Sequence, residues 1–226
     1  MINRPVSVQP ENPQRLVHAY SKALIEQART NTNIVALDAD LMLDTGLIPF
    51  QKEFRDRFVE CGIAEQDMVS QAGGMALRGL IPIVHSFACF LTSRPNEQIY
   101  NNATEGKKIV YVGSLAGVTP GGPGHSHQAV RDISAIASIP GLVLMEPSCE
   151  AEVAPLLDWA INIHERSSYL RLVSLPCILP FSIPVDYKPE VGKGLVLREG
   201  RDIVLVGYGP VLLAAAYEAA EMLSDK

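Results

Sequence analysis

Runs of apolar, largely β-branched residues return along the chain at intervals filled by helix-like segments. That alternation limits the possible folds more than any other feature of the sequence. The runs are NIVALD (33–38), IPIVHSF (81–87), KKIVYVGS (107–114), GLVLMEP (141–147) and SSYLRLVSL (167–175), with a shorter one, Arg57 to Cys61, between the first two. They read as near-continuous apolar stretches, so the strands they form need cover on both faces. Such strands, separated by helices, predict an α/β fold with a parallel sheet and helices on both faces. In a sheet of this kind a ligand sits beyond the carboxyl ends of the strands. Asp40, Glu65, Phe87 to Phe90, the loop 115–128 and Arg171 all fall at or near those ends.

The segments between the strands carry helix signals. Asn12-Pro13 reads as a cap followed by proline in the first turn, and Leu16, Tyr20, Leu24 and Ala28 then follow one face. Residues 41–56 read as a loop with a short helix, LIPFQKEF. After the short run, Gly62, Ile63 and Ala64 lead into Glu65 at a helix start, where a carboxylate faces the positive end of the dipole. That helix holds Ala72, Gly73, Gly74 and Ala76. Glycine costs about 1 kcal/mol against alanine inside a helix, so a pair of them predicts that something packs close to this backbone. FACFLTSRP (87–95) closes the third strand, and helices are expected over 95–104, 129–139 and 149–164.

Residues 1–180 thus form the first domain, and residues 181–226 a linker and the beginning of a second α/β domain. Prolines 176, 180, 184 and 189 mark the linker; a hairpin at 192–200, a strand at 202–209 and a helix from 210 are expected after it. One strand and one helix can hardly bury their own faces, so this tail is read as an incomplete β/α unit or as packing on something else. The net charge of −6 and pI near 5.4, without a local cluster of lysine or arginine, argue against a nucleic-acid surface. Cys61, Cys89, Cys149 and Cys177 form no CxxC pair, which points to reduced thiols rather than a disulfide frame or a zinc site. Residues 1–15 contain no apolar leader, and no apolar run approaches the ~18 residues needed to span a bilayer. A cytoplasmic protein without membrane contact is expected.

Several residues could carry chemistry. Glu65, among Val59, Ile63, Met68 and Val69, is either a cap before a core helix or a carboxyl group suited to sharing a proton with a ligand. Gly113, Gly117, Gly121, Gly122 and Gly124 let the loop backbone approach a ligand, and the helix that follows can hold an anion at its start. The loop lacks the GK[ST] of a phosphate-binding loop. His125 and His127 have no third ligand at useful spacing, so acid–base or hydrogen-bonding work suits them better than a metal, and no metal is expected on this chain. Phe87 and Phe90 are either core or an aromatic shelf for a flat heterocycle. Arg171, inside an apolar strand, needs a partner, and an anionic substrate group or an internal carboxylate would both serve.

CGIAEQ before a small-residue helix, PIVHSFACFLTSRP, GGPGHSHQ and SYLRLV together resemble the pyrimidine-binding domain of the transketolase family, which includes split transketolases and 1-deoxyxylulose-5-phosphate synthase. The resemblance covers about residues 14–175, and 190–226 look like the start of the family's C-terminal domain. It implies the thiamine-diphosphate-binding fold. It places Glu65 at N1′ of the cofactor's aminopyrimidine, where a shared proton favours the imino form that activates the thiazolium carbon. It makes Phe90, with Phe87, the stack on the pyrimidine, and His127 a substrate contact with His125 beside it. Arg171 becomes the ligand of a sugar-phosphate tail, and Asp40 a cofactor-side acid.

Three departures stand out. Pro123 replaces the acidic residue of G-x-D-G that recognises a donor hydroxyl, Ser93 replaces an aromatic residue, and the G-D-G pattern that holds Mg²⁺ and diphosphate is missing from the 226 residues. The implied protein is therefore the pyrimidine-binding subunit of a split transketolase. Its partner would be an N-terminal, diphosphate-binding subunit that brings Mg²⁺ in an α2β2 heterotetramer, with the Gly73-Gly74 helix at a close subunit contact. The implied reaction moves a two-carbon ketol or acyl unit from a sugar or 2-oxo-acid donor to an aldehyde. The β subunit of a 2-oxo-acid dehydrogenase E1 component, and a non-catalytic partner subunit that keeps the fold, are the alternatives.

Overall fold

The computed structural model describes residues 15–176 and 178–224. The expected Asn12-Pro13 cap and the lead-in before it, like Cys177 and the last two residues, lie outside the described residues. The strands are β1 (Ile34–Asp38), β2 (Phe58–Glu60), β3 (Ile81–Phe87), β4 (Val110–Ser114), β5 (Val143–Met145) and β6 (Ser168–Arg171). The α-helices are α1 (Leu16–Thr30), α2 (Met42–Thr45), α3 (Ile48–Glu53), α4 (Glu65–Leu77), α5 (Ala88–Ser93), α6 (Asn96–Thr104), α7 (Asp132–Ile136), α8 (Glu150–Asp158) and α9 (Pro210–Ser224). The strands form one sheet in the order β2-β1-β3-β4-β6-β5, and every pairing in it is parallel.

The two-sided cover follows from the pleat. Successive side chains of a strand point to opposite faces, so a strand apolar throughout feeds two cores. In β1, Ile34 and Ala36 pack with Leu16, Tyr20 and Leu24 of α1, Phe50 of α3 and Val153 and Leu157 of α8. Val35 and Leu37 pack on the other side with Met68, Val69 and Ala72 of α4 and Ile99 and Ala103 of α6. Helix α4 buries Glu65, Met68, Val69, Ala72 and Gly73, a stripe with helical spacing. Asn102 of α6 lies against Gly73, and Gly74 faces open space. The close approach expected of the glycine pair is thus, for Gly73, a contact within the chain.

The chain leaves β1 for β2 at one edge and then returns to β3 on the other side of β1. In open parallel sheets such a reversal is where a ligand crevice forms, here at the carboxyl ends of β1 and β3.

Three expectations change. FACFLTSRP is mainly the short helix α5, which starts directly from Phe87 at the end of β3. The helix expected over 129–139 shrinks to α7, because the loop before it is held in bridges of Ala116 and Gly117 with Ala129. No strand forms among the described residues of 176–209. A strand there would need neighbours for its backbone groups, and Val204 and Val206 are 85% and 90% exposed. Helix α9 forms as expected and lays Leu213, Ala214 and Tyr217 on Leu179, Phe181 and Ile183 of the linker. A cleft of about 390 Å³ opens between β5, α8 and this tail, and none of Glu65, Phe87, Phe90 and His127 lines it.

Candidate active site

Glu65 comes to the crevice because β2 is short and its turn is tied down. The Cys61 N–H donates to the Asp38 carbonyl at 2.9 Å, which extends the strand pairing by one residue. Gly62 then takes a left-handed conformation, φ 67°, and α4 runs back over the sheet. One carboxylate oxygen, Glu60 Oε1, accepts the N–H groups of both Gly62 and Asp40 at 2.9 Å and so fastens the ends of β1 and β2 together.

The Glu65 side chain is 3% exposed. Its Oε1 accepts a 2.6 Å bond from Arg94 Nη1 and a 3.3 Å bond from Ser86 Oγ, near the end of β3. Arg94 reaches it from the C-cap of α5, and its guanidinium carbon stands 3.9 Å from the centre of the Phe90 ring. Phe90 and Arg94 are four residues apart, so they share one side of the helix. The Arg94 carbonyl accepts from Gln66 Nε2 at 3.2 Å, which fastens the first turn of α4 to the end of α5.

Phe87 and Phe90 pack at 5.9 Å between ring centres, and His127 meets both edge-on, at 5.9 and 5.1 Å. His127 Nδ1 lies 3.0 Å from Ser126 Oγ, and its N–H donates to Gly124 O at 3.1 Å. The loop that carries it is pinned at its base: Ala129 N–H donates to Gly117 O at 2.8 Å and Gln128 Nε2 to Val118 O at 3.0 Å. Glu65, Phe87, Phe90 and His127 are therefore linked through Arg94 and ring contacts into one cluster.

The other expected site residues lie apart from this chain of contacts. Asp40 is exposed in a left-handed conformation, φ 63°, and its N–H goes to Glu60. His125 is exposed on the glycine-rich loop. Arg171 has found the internal carboxylates that the sequence left open as partners. Its Nε donates to Asp132 Oδ2 at 2.7 Å and its Nη1 to Glu146 Oε2 at 2.8 Å, and its side chain is 13% exposed. Tyr169 OH adds a 3.2 Å bond to Asp132 Oδ2. Burial raises the Glu146 carboxyl above its ordinary value, and Arg171 offsets part of that.

Sequence reasoning missed Ser86, Arg94, Asp132 and Glu146. A helical reading of 87–95 would have shown the spacing of four between Phe90 and Arg94.

Two further titratable groups sit under the crevice. Asp38 ends β1, with Oδ1 accepting the Leu41 N–H at 2.5 Å and Oδ2 the Thr45 hydroxyl at 2.7 Å, and burial pushes its pKa up to about 6. His85 of β3 is its register neighbour. Its Nδ1 lies 3.0 Å from the Leu37 carbonyl, which can only accept, so that nitrogen carries the proton. Nε2 then accepts from Tyr20 OH at 2.6 Å, and burial lowers the His85 pKa to about 4.

Cys61, Cys89 and Cys149 are free thiols. Among the described residues, no group of three or more metal-ligating side chains is placed to hold a metal ion, and no helix is long and apolar enough to cross a membrane.

Three comparisons bear on this arrangement. The chain is 33% identical over 226 residues to the 6-deoxy-6-sulfo-D-fructose transketolase subunit of Clostridium sp. (strain MSTE9), covering all of this chain and 69% of that one. It is 32% identical over 220 residues to the 1-deoxy-D-xylulose-5-phosphate synthase of Thermomicrobium roseum, covering 96% of this chain but 34% of that enzyme. Among solved structures it resembles a split-gene transketolase, described as an inactive β4 tetramer, with a TM-score of 0.81 and 34% identity over 94% of this chain and 68% of that one. The family model for the transketolase pyrimidine-binding domain matches residues 13–174, and the chain belongs to that family.

Proposed function

We propose that this chain is the pyrimidine-binding subunit of a two-polypeptide, thiamine-diphosphate-dependent, transketolase-like enzyme, which transfers a two-carbon ketol or acyl unit to an aldehyde. The observation that carries the reading is the buried Glu65 carboxylate joined through Arg94 to the Phe90 ring, near the carboxyl ends of the strands where their order reverses. These residues fit the aminopyrimidine end of the cofactor. The Phe90 face already holds a flat nitrogenous group at 3.9 Å, the guanidinium of Arg94, and the same group donates to Glu65.

When bound, thiamine diphosphate supplies the electron sink for breaking the donor's carbon–carbon bond. This chain supplies position and one proton. Glu65 holds the proton shared with the pyrimidine N1′, and Ser86 fixes the orientation of Oε1. Phe90 and Phe87 offer the stacking face and keep water from it. His127, edge-on to both rings, meets the substrate, with His125 exposed on the same loop. Asp40, just past the end of β1, is the cofactor-side acid of this reading.

Diphosphate and Mg²⁺ belong to a separate chain, and the outer face of α4, around Gly74, is the contact with it. The relatives described as a transketolase subunit and as a split-gene transketolase support that division. An α2β2 assembly in the cytoplasm follows from the same reading. Arg171 retains a substrate role only if a phosphate group can displace one of its two carboxylates.

The test is Glu65→Gln in the complex reconstituted with the diphosphate-binding chain, followed by exchange of the cofactor's C2 proton. General acid–base help of this kind contributes about 100-fold or more, so exchange should fall by at least that factor. Unchanged exchange would remove Glu65 from the role.

A further inference from the structure

One side chain makes both of the contacts that the proposed function reserves for the aminopyrimidine. Arg94 donates to Glu65 Oε1 at 2.6 Å and lies over the Phe90 ring at 3.9 Å. We infer that Arg94 is a stand-in occupant of the pyrimidine seat, holding Glu65 and Phe90 in their working positions until the cofactor displaces it. The inference rests on the proposed function and adds a gate to it.

The chemistry of the two groups explains why one can replace the other. A guanidinium and an aminopyrimidine protonated at N1′ are both planar, both donate an N–H to a carboxylate, and both stack on a phenyl face. A carboxylate buried as deeply as Glu65 needs a partner when the seat holds no ligand, because an unpaired buried charge is strongly unfavourable. Arg94 meets that need, and Ser86 alone would not.

Arg94 is also built to leave. Its side chain is 41% exposed, against 3% for Glu65, so water reaches the guanidinium side of the pair. Its backbone carbonyl stays fixed by Gln66, which lets the side chain move without the end of α5. Arg171, also at this edge of the sheet, is held by Asp132 and Glu146 and does not compete for Glu65. A seat closed in this way lowers apparent affinity by the fraction of time it is open.

The full chain is titrated calorimetrically with the free aminopyrimidine half of thiamine, as wild type, Arg94→Ala, Arg94→Lys and Glu65→Gln. Arg94→Ala should bind roughly tenfold tighter than wild type, the factor for a seat closed about nine-tenths of the time. Arg94→Lys should fall between, since an ammonium pairs with Glu65 but offers no flat face. In wild type the Arg94 Nε–H resonance, assigned by its loss in Arg94→Lys, should pass to rapid solvent exchange on saturation.

Equal or weaker binding by Arg94→Ala, with binding still lost in Glu65→Gln, would overturn the stand-in and leave the Glu65 assignment intact. So would an Arg94 resonance unmoved by saturation. Binding by Glu65→Gln equal to wild type, or no binding by any variant, would remove the Glu65 assignment and this inference with it.

Discussion

Gly73 and Gly74 are neighbours on α4 with opposite surroundings, so alanine at each should move stability in opposite directions. A methyl group at Gly73 would overlap Asn102 Oδ1 and stand 3.1 Å from its Cγ and 3.2 Å from its Nδ2. Asn102 is not free to swing aside, because Nδ2 donates to the Val69 carbonyl at 3.1 Å and ties α6 to α4. Losing that bond costs about 1 kcal/mol, and forcing a methyl into a packed contact about 1–3 more. The better helix propensity of alanine returns about 1 kcal/mol. Gly73→Ala should therefore destabilise by about 1–3 kcal/mol.

At Gly74 a methyl group meets nothing within 4 Å. The propensity gain is then unopposed, and Gly74→Ala should stabilise by about 0.5–1 kcal/mol. Urea unfolding followed by circular dichroism reads both, provided the slope m stays constant. In an Asn102→Ala background the Gly73→Ala penalty should largely vanish, since the two side chains share one space. A Gly73→Ala protein as stable as wild type, or a penalty undiminished by Asn102→Ala, would refute the packing account. The same pair tests the docking face: Gly74→Ala, though more stable, should weaken association with the diphosphate-binding chain.

His85 and Asp38 should give the native state two opposed pH dependences. The His85 pKa is lowered from 6.5 to about 4. Its contribution is thus complete above pH 6.5 and lost as pH falls through 4, at a slope of up to about 1.4 kcal/mol per unit. The Asp38 pKa is raised from 3.8 to about 6, so its contribution is complete below pH 3.8 and lost as pH rises through 6. Asp38→Asn should raise stability at neutral pH by about 1–3 kcal/mol and expose the acid loss due to His85; a profile parallel to wild type would contradict this. Arg171→Met leaves Asp132 and Glu146 without their cation and should cost about 3–5 kcal/mol at neutral pH, less in acid as Glu146, already raised by burial, protonates. A loss below about 1 kcal/mol would show that Arg171 is available to a substrate after all.

The sheet was legible in the sequence because a strand buried on both faces leaves an apolar run that helices interrupt. Five long runs and one short one became the six strands. Glu65 was legible for a local reason: a turn glycine, a helix start and a carboxylate fall in order. The helix α5 was not, since six residues with Thr92 and Ser93 in them carry too little periodicity to separate from a strand's end. Losing α5 hid Arg94, because only a helix sets it four residues from Phe90 on the same side. The strand expected at 202–209 failed for another reason. Its residues have the right composition, but a strand is stabilised by a neighbour, and composition carries no information about whether one is present. The partners of Arg171 were illegible in the same way, since Asp132 and Glu146 lie 39 and 25 residues from it and meet it only across the finished sheet.

Arg94 and Arg171 both reach the carboxyl edge of the sheet, and the difference between them shows how the crevice divides fixed from exchangeable charge. Arg171 is 13% exposed and answers two carboxylates that are themselves nearly buried. Removing it strands two charges, so nothing short of a strongly bound anion could compete for it. It fastens β6 to the start of α7 and the end of β5, and so holds steady the base of the loop that carries His127. Arg94 answers one carboxylate and one ring from the solvent side, its own side chain 41% exposed. Displacing it strands no second group, provided the incoming ligand replaces both contacts together. A flat heterocycle with an N–H edge satisfies that condition, and a phosphate or a metal ion does not. The selectivity of the seat for such a ligand therefore lies as much in what must be displaced as in Glu65 and Phe90 themselves.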